Sequence, residues 1–398
     1  MWQSRERTCG GLGMGAEWRL SMWGDEISLE YGKALRGYES ATGKYRVFGS
    51  NGPIGWTSQP LAPGPGVILG RKGAYRGVEF SQEPFFVIDT AYYVVPKSEL
   101  DMRWLYYAVK HYKLGEIDDG SPIPSTTRAA VYVQAIEIPP LPEQRAIAHI
   151  LSSLDDKIEL NRKMNETLES MARALFKSWF MDFEPVRAKA EGRDTGLRRE
   201  IADLFPDSFE DTEMGEVPKG WSISRVEDAL ELAYGKALKA SERVDGSVPV
   251  YGSGGITGFH NTALVNEPSV IVGRKGTVGS LYWVDDPFYP IDTVFYVKPK
   301  APLTFCFYLL QTVGLENMNT DAAVPGLNRN NAYRLLFAWP PGEIQQGFDM
   351  IAKSLRKKIR SNTDQSRILT AQRDTLLPKL LSGEVRITQE EGFIHQGC

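Results

Sequence analysis

"PFFVIDTAYYVVPK" occupies residues 84–97, and "PFYPIDTVFYVKPK" occupies residues 287–300. The two stretches lie 203 residues apart (287 − 84), and the same offset links the segments around them. "VILGRKGAYRG" (67–77) matches "VIVGRKGTVGS" (270–280), and "VFGSNGPIG" (47–55) matches "VYGSGGITG" (250–258). "YGKAL" occurs at 31–35 and again at 234–238, and Trp18 matches Trp221. A register of this extent marks an internal duplication, with two copies of one domain in the chain. After each domain copy the offset becomes 201, which aligns Pro139-Pro140 with Pro340-Pro341 (340 − 139).

Within each copy, short β-branched and aromatic runs bordered by glycine or proline predict strands at 66–70, 85–95, 269–273 and 293–297. "RWLYYAVKHY" (103–112) and "FCFYLLQTV" (305–313) predict one short helix per copy. The fold class is therefore α+β, two repeated mixed domains. Each Pro-Pro pair precedes a long helical pattern, 142–180 and 343–381. The first repeats at spacings of three and four through Ile147, Leu151, Leu154, Ile158, Asn161, Asn165, Leu168, Ala172, Leu175 and Trp179. The second does so through Phe348, Ala352, Leu355, Ile359, Asn362, Ser366, Leu369, Arg373, Leu376 and Leu380. This is coiled-coil spacing, and the matched polar interruptions favour pairing of the two helices with each other over separate packing on their own domains. Pro378 is expected to end or kink the second helix. A helix of roughly 38 residues extends about 57 Å, the length of a spacer.

These signals divide the chain as follows: an N-terminal extension (1–13), a first domain (14–141), a central long helix (142–182) and a charged connector (183–212). A second domain (213–341), a C-terminal long helix (342–383) and a tail (384–398) follow. The connector is expected to hold one short helix near residues 197–204.

Composition fits a globular protein, with 42% hydrophobic and 24% charged residues among 398. There is no signal-like apolar start and no apolar run of about 18 residues, so no membrane partner is expected. Cys9, Cys306 and Cys398 are scattered and fit reduced thiols in a cytoplasmic protein. The net charge of −4 neither advertises nor excludes nucleic acid, since clustering on one face decides.

Catalytic signatures are missing. "GYESATGKY" (37–45) has five residues between its glycines and tyrosine after Lys44, so it is not a phosphate loop. "GGLGMG" (10–15) follows no strand. No Asn/Asp-Pro-Pro-aromatic tetrad of an amino-methyltransferase occurs, no helicase-like motor signature is present, and His111, His149, His260 and His395 form no metal-site pattern. No catalytic or metal-binding residues are assigned.

The candidates are binding residues. Arg71, Lys72, Arg274 and Lys275 sit between glycines, where backbone can approach a partner. Arginine grips phosphate or the O6/N7 edge of guanine with two hydrogen bonds, and lysine acts as a point charge. Lys33 and Lys236 in "YGKAL", and Arg128 and Arg329 at offset 201, are similar cases. Ser50, Asn51, Ser253, His260 and Asn261 sit in glycine-rich loops, where contact to DNA and plain turn chemistry weigh equally. Asp89 and Asp292 in "IDT" would repel phosphate, which favours a structural hydrogen-bonding role. The second long helix carries Lys353, Arg356, Lys357, Lys358, Arg360, Arg367, Arg373 and Lys379, a face for solvent, an acidic partner or a passing duplex. The helix-pairing candidates are Leu151, Leu154, Ile158, Asn161 and Leu168 against Leu355, Ile359, Asn362, Leu369 and Leu376.

With "YGKAL", "GRKG", the duplication and "PPLPEQRAIAHILSSLDDKIELNRKMNETLESMARALFKSWF" (139–180), nearly the whole chain resembles the specificity subunits of type I restriction-modification systems. The resemblance implies that each repeat is a target recognition domain reading one half of a split DNA sequence. It implies two long helices that pair antiparallel, set half-site spacing and dock two methyltransferase subunits. Those subunits would bind S-adenosylmethionine, and restriction subunits would add ATP- and Mg2+-dependent translocation and cleavage. The chain itself would be catalytically silent and hold no cofactor. Two departures stand out: "MGAEWRL" looks like the natural start, and "GEIQQ" (342–346) replaces the "PEQ" pattern. A bivalent protein adaptor that does not read DNA is the alternative; a self-sufficient methyltransferase is disfavoured by the missing tetrad.

Overall fold

The computed structural model describes residues 17–39, 42–118, 120, 124–318 and 326–387. The readings that concern the extension 1–13, Met14, Cys9, Cys398, His395 and most of the tail lie outside them. The chain divides into two compact units. One comprises Met1–Asn161 with Asp364–Cys398, and the other Arg162–Thr363.

In the first unit an antiparallel four-stranded sheet runs in the order Ile27–Tyr31, Ala91–Pro96, Gly66–Gly70, Val78–Ser81. A three-stranded sheet orders Gly52–Thr57, Tyr45–Gly49 and Phe85–Val87, the last strand parallel to its neighbour. Arg19–Met22 pairs with Ala135–Ile138 as a ribbon. The expected strand at 85–95 is in fact two. The "IDT" segment forms a turn, closed by the Ala91 N–H donating to the Ile88 carbonyl at 3.1 Å, and it passes the chain from one sheet to the other. The helix Met102–His111 is capped by Asp101, whose carboxylate accepts from the N–H groups of Arg103 and Trp104. Val67, Leu69, Tyr92, Trp104 and Tyr107 form the core, which is closed by Ile147 and Leu151 and by Leu380 and Leu381.

The second unit repeats this plan. Its four-stranded sheet orders Leu230–Tyr234, Val294–Pro299, Ser269–Gly273 and Leu281–Val284, and its three-stranded sheet orders Gly255–His260, Val248–Gly252 and Tyr289–Pro290. Ser222–Arg225 pairs with Leu336–Trp339, and Leu303–Thr312 is the short helix. The strands before the short helix keep the 203 offset, but Met102 and Leu303 already stand at 201 (303 − 102), as do Ala135 and Leu336 (336 − 135). The two-residue deletion therefore falls in the loop before the short helix, not after the domain.

The connector is not a tether. Glu184–Ala190 and Arg199–Ala202 are helices, and Phe209–Thr212 forms a hairpin with Gly215–Pro218. Val186, Ala188 and Phe205 are buried, and Val186 and Phe205 join a core containing Trp179, Trp221, Phe305 and Phe348. Spaced apolar residues among many charges hid this amphipathic packing from a periodicity reading.

The long helices run Leu141–Phe180 and Gly342–Leu381. Each unit pairs a part of one with a part of the other, antiparallel: Asp155 meets Arg373 and Asn161 meets Ser366 in the first, Asn165 meets Asn362 and Glu169 meets Arg356 in the second. Leu151, Asn161 and Asn362 are buried, whereas Leu154, Ile158, Leu168, Leu355, Ile359, Leu369 and Leu376 are half-buried. Two helices alone cover most of the apolar seam only partly, whereas the central amides are enclosed between them. The central layer is polar but satisfied. The Asn161 amide donates to Gln365 and Ser366, and the Asn362 amide donates to Asn165 at 2.9 Å. Pro378 does not end the helix, which continues to Leu381 with the Ser382 N–H bonded to the Pro378 carbonyl. No described helix is long and apolar enough to cross a membrane.

One ionised group sits in the first unit without a counterpart. Glu26 is 3% exposed and accepts from Arg19 at 2.5 and 2.9 Å, from Ser21 at 2.6 Å and from Ser98. These bonds, Arg19 first, hold its carboxyl down at about 2 against the opposing effect of burial. Its repeat counterpart is the buried Ala229. A depressed folded-state pKa stabilises above the unfolded value and is lost as pH falls through the folded one. Glu26→Gln is therefore expected to remove a stability gain on the order of 2 kcal/mol at neutral pH and to flatten the loss between about pH 5 and pH 2. Unfolding titrations across that range, against the parent, measure it.

Candidate nucleic-acid interface

The "GRKG" turns leave the strands Gly66–Gly70 and Ser269–Gly273. Their second and third positions are held by the "IDT" turn. The N–H groups of Arg71 and Lys72 donate to the Thr90 carbonyl at 2.9 and 3.3 Å, and those of Arg274 and Lys275 donate to Thr293 at 3.0 and 3.1 Å. The turn then closes through Gly73 (φ 111°) and Gly276 (φ 83°), in the left-handed region that glycine tolerates. Lys72 forms a β-bridge with Ser125, and Lys275 with Gly326, which docks a distant loop beside the tip.

The arginine side chains fold back onto an aromatic platform. In the first domain the guanidinium carbons of Arg71 and Arg128 stand 5.2 and 4.2 Å from the Tyr31 ring centre. In the second, Arg274 and Arg329 stand 5.0 and 4.9 Å from Tyr234. Tyr92 backs Tyr31 and Phe295 backs Tyr234, each with ring centres 5.0 Å apart. Arg71 donates to the Asp89 carbonyl and Arg274 to the Asp292 carbonyl, both at 2.9 Å. Asp89 and Asp292 thus act through backbone oxygens, in keeping with the structural role expected of them. The Nε atoms of Arg71, Arg128 and Arg329 are buried without a hydrogen-bond partner. Stacking on tyrosine takes the place of that bond. Each site is a pair of cations pinned to one half-exposed phenol ring, 47% exposed for Tyr31 and 49% for Tyr234.

The other candidates divide. Lys33 and Lys236 lie exposed two residues beyond the tyrosines, where the chain passes so close to residues 88 and 291 that a Cβ on Gly32 or Gly235 would fall about 2 Å from a carbonyl oxygen. Ser50 is used structurally: its hydroxyl donates to Thr90 at 2.6 Å and accepts from Lys72 at 3.3 Å. The Ser253 carbonyl accepts from Ser280 at 2.7 Å, beside the second tip. Asn51 is exposed in the adjoining hairpin turn. His260 and Asn261 are not brought to the cluster. They lie at the far end of the strand Gly255–His260, where His260 Nδ1 accepts from the Val244 N–H at 3.0 Å and Asn261 accepts from Thr262.

Most bases of the second long helix are already paired in the chain. Lys353 meets Asp349, Arg360 meets Asp286, Arg367 meets Asp364, and Lys379 meets Glu384. Arg356 and Arg373 belong to the seam. Lys357 and Lys358 are exposed.

The two domains differ at the edges of the clusters. Arg46 stacks on the half-exposed Trp56 at 4.5 Å, whereas Pro249 and Phe259 stand at the corresponding places. Tyr75 is 68% exposed at the first tip, while its counterpart Val278 packs against the core.

Residues 30–170 and 218–364 each match the family model of the type I restriction modification DNA specificity domain. The specificity subunit of the type I restriction enzyme HindI of Haemophilus influenzae is 28% identical over 330 residues, covering 66% of this chain and 71% of that protein. The MjaIX specificity subunit of Methanocaldococcus jannaschii is 26% identical over 404 residues, covering 92% and 88%. The fold matches the crystal structure of a type I restriction-modification S subunit from M. genitalium with a TM-score of 0.60 and 20% identity, covering 93% of this chain and 98% of that one. With two matched domains that carry the same arginine and tyrosine cluster, the chain belongs to the type I restriction modification DNA specificity family.

Proposed function

We propose that each domain reads one half of a split DNA target through its Arg-Tyr-Arg cluster, and that the long helices set the distance between the half-sites. The observation that carries this is the same three-residue cluster at the same place in both repeats, partly exposed, with Arg71, Arg274 and Arg329 aimed by backbone carbonyls and Arg128 held 3.6 Å from Glu30. Arginines held over a ring lose little freedom on binding, which suits them to phosphate or guanine. A protein-only adaptor leaves this duplicated feature without a use.

The chain serves as the recognition component. Two methyltransferase subunits carrying S-adenosylmethionine dock on the helices, and restriction subunits bring ATP and Mg2+. The complex works in the cytoplasm. Because the exposed Tyr75 has the packed Val278 as its counterpart, and Phe259 has Pro249 beside it where Trp56 carries the stacked Arg46, the two domains present different surfaces and the target is asymmetric. Mapping methylated adenines in the host genome with and without this gene tests the reading: an asymmetric, bipartite motif is expected to vanish with the gene, and a palindromic one counts against it.

Spacing gives a second test. Removing seven residues from the middle of each long helix shortens the pair by about 10 Å, or about three base pairs of duplex. The methylated motif is expected to lose about three base pairs between unchanged half-sites. An unaltered spacer refutes the ruler role.

A further inference from the structure

The repeat also relates the seams of the two long helices, at an offset of 201 (342 − 141). Asp155 of the first helix therefore holds the place that Arg356 holds in the second, with the opposite sign. Each is tied across the seam. Asp155 meets Arg373 at 2.7 Å, and Arg356 meets Glu169 at 3.1 Å. These four side chains are only 15–23% exposed, with Arg356 the most shielded and Asp155 the least. The backing is repeated too: Tyr107 donates to Asp155 at 2.6 Å, and its counterpart Tyr308 donates to Glu169 at 3.3 Å. One architecture occurs twice, with its charges exchanged between the helices.

We infer that these four charges decide which helix accepts which: the first long helix pairs with the second, and neither pairs with a copy of itself. The repeat allows the wrong pairs to be written down. Two first helices would put Asp155 where Arg356 stands, against Glu169, and would place Ala172, the counterpart of Arg373, opposite Asp155. Carboxylate would face carboxylate twice in such a symmetric pair. Two second helices would put Arg356 where Asp155 stands, against Arg373, and guanidinium would face guanidinium twice. Like charges at shielded positions suppress the wrong partner strongly. The polar layer between them does not discriminate, because Asn161 and Asn165 correspond to Asn362 and Ser366, and amides and hydroxyls bond in any of these combinations. That layer fixes register, and the charges fix partner. The inference concerns the seam alone and does not depend on what the domains bind.

The exposed loop around residues 192–196 offers the place to test it. A site-specific protease sequence is inserted there, the intact folded chain is cut, and the two fragments are separated in guanidinium chloride and returned together to buffer. Native mass spectrometry then reads the pairs. Mixed pairs are expected, with the two like pairs suppressed about a hundredfold against a statistical mixture. The same is done with Asp155→Arg/Arg356→Glu. Now position 155 meets Glu169 when first helices pair and position 356 meets Arg373 when second helices pair, so like pairs are expected to dominate. A statistical mixture from the parent overturns the inference, and so does a double variant that keeps mixed pairs as the parent does. Where the fragments do not regain structure, the intact chain decides. Asp155→Arg is expected to lower the unfolding midpoint, and Asp155→Arg/Arg373→Asp to recover at least half of the loss. A double variant no more stable than the two single losses added together overturns the inference as well.

Discussion

Replacing both Arg71 and Arg274 with alanine is expected to weaken binding of the assembled enzyme to its target by about 10²–10⁴-fold, since each good arginine contact to a base is worth about 1–3 kcal/mol. The two residues belong to different domains, so their losses add. The effect is large because the guanidinium groups are already positioned. Each donates to a backbone carbonyl and lies over a tyrosine, so the free protein has spent the ordering cost before DNA arrives. Arg71→Lys keeps the charge but loses the planar fork, and is expected to behave nearly as the alanine variant if Arg71 reads guanine. Lys72→Ala is expected to act differently, weakening all sequences alike and reducing the slope of log affinity against log salt by about one. Fluorescence anisotropy on specific and scrambled duplexes across a salt series separates these outcomes. Unchanged affinity and slope for Arg71→Ala/Lys72→Ala would remove the first turn from the interface.

The second large effect is on folding. Trp179→Ala is expected to destabilise the second unit by about 3–5 kcal/mol. Trp179 is 1% exposed near the end of the first long helix. Its ring meets Phe205 of the connector at 5.1 Å and Phe348 of the second long helix at 6.2 Å, both edge-on. One truncation thus unpacks three separate segments of chain around a single cavity. A drop of roughly 10 °C in the unit's unfolding midpoint follows. Trp56→Ala, at a half-exposed ring, is expected to shift the midpoint little, by about 0.5 kcal/mol or less, while affecting DNA binding. Differential scanning calorimetry of the two variants makes the comparison.

Much of this architecture was legible in the residue string because it is written twice. The 203 offset located the strands, and the spacing from Ile147 to Trp179 marked the long helix. The failures have physical causes. The "IDT" turn sits inside an apolar run, and periodicity cannot see a turn whose residues suit a strand. The connector's burial rests on a few apolar residues, Val186 and Phe205 among them, set among charges. At the site, charge drew attention to Arg71, Lys72, Arg128 and their counterparts, and the structure brings those arginines together. It did not draw attention to Tyr31 and Tyr234, although both stand at the same offset. An aromatic residue at a strand end reads as core, and only the fold shows two cations resting on it. His260 and Asn261 offer donor chemistry, which says nothing about which end of a strand a residue occupies.

The closing of the first core by Leu380 and Leu381 has a consequence for synthesis. The second unit is continuous in sequence and can complete itself as soon as Thr363 has left the ribosome. The first unit, though made earlier, stays open along Ile147 and Leu151 until the last helix arrives. Its hydrophobic floor is therefore exposed for the whole time that the second half is being translated. A chain that stalls before its final turns carries a finished second domain and an unfinished first one, so a protease that recognises open apolar surface can distinguish incomplete chains from complete ones.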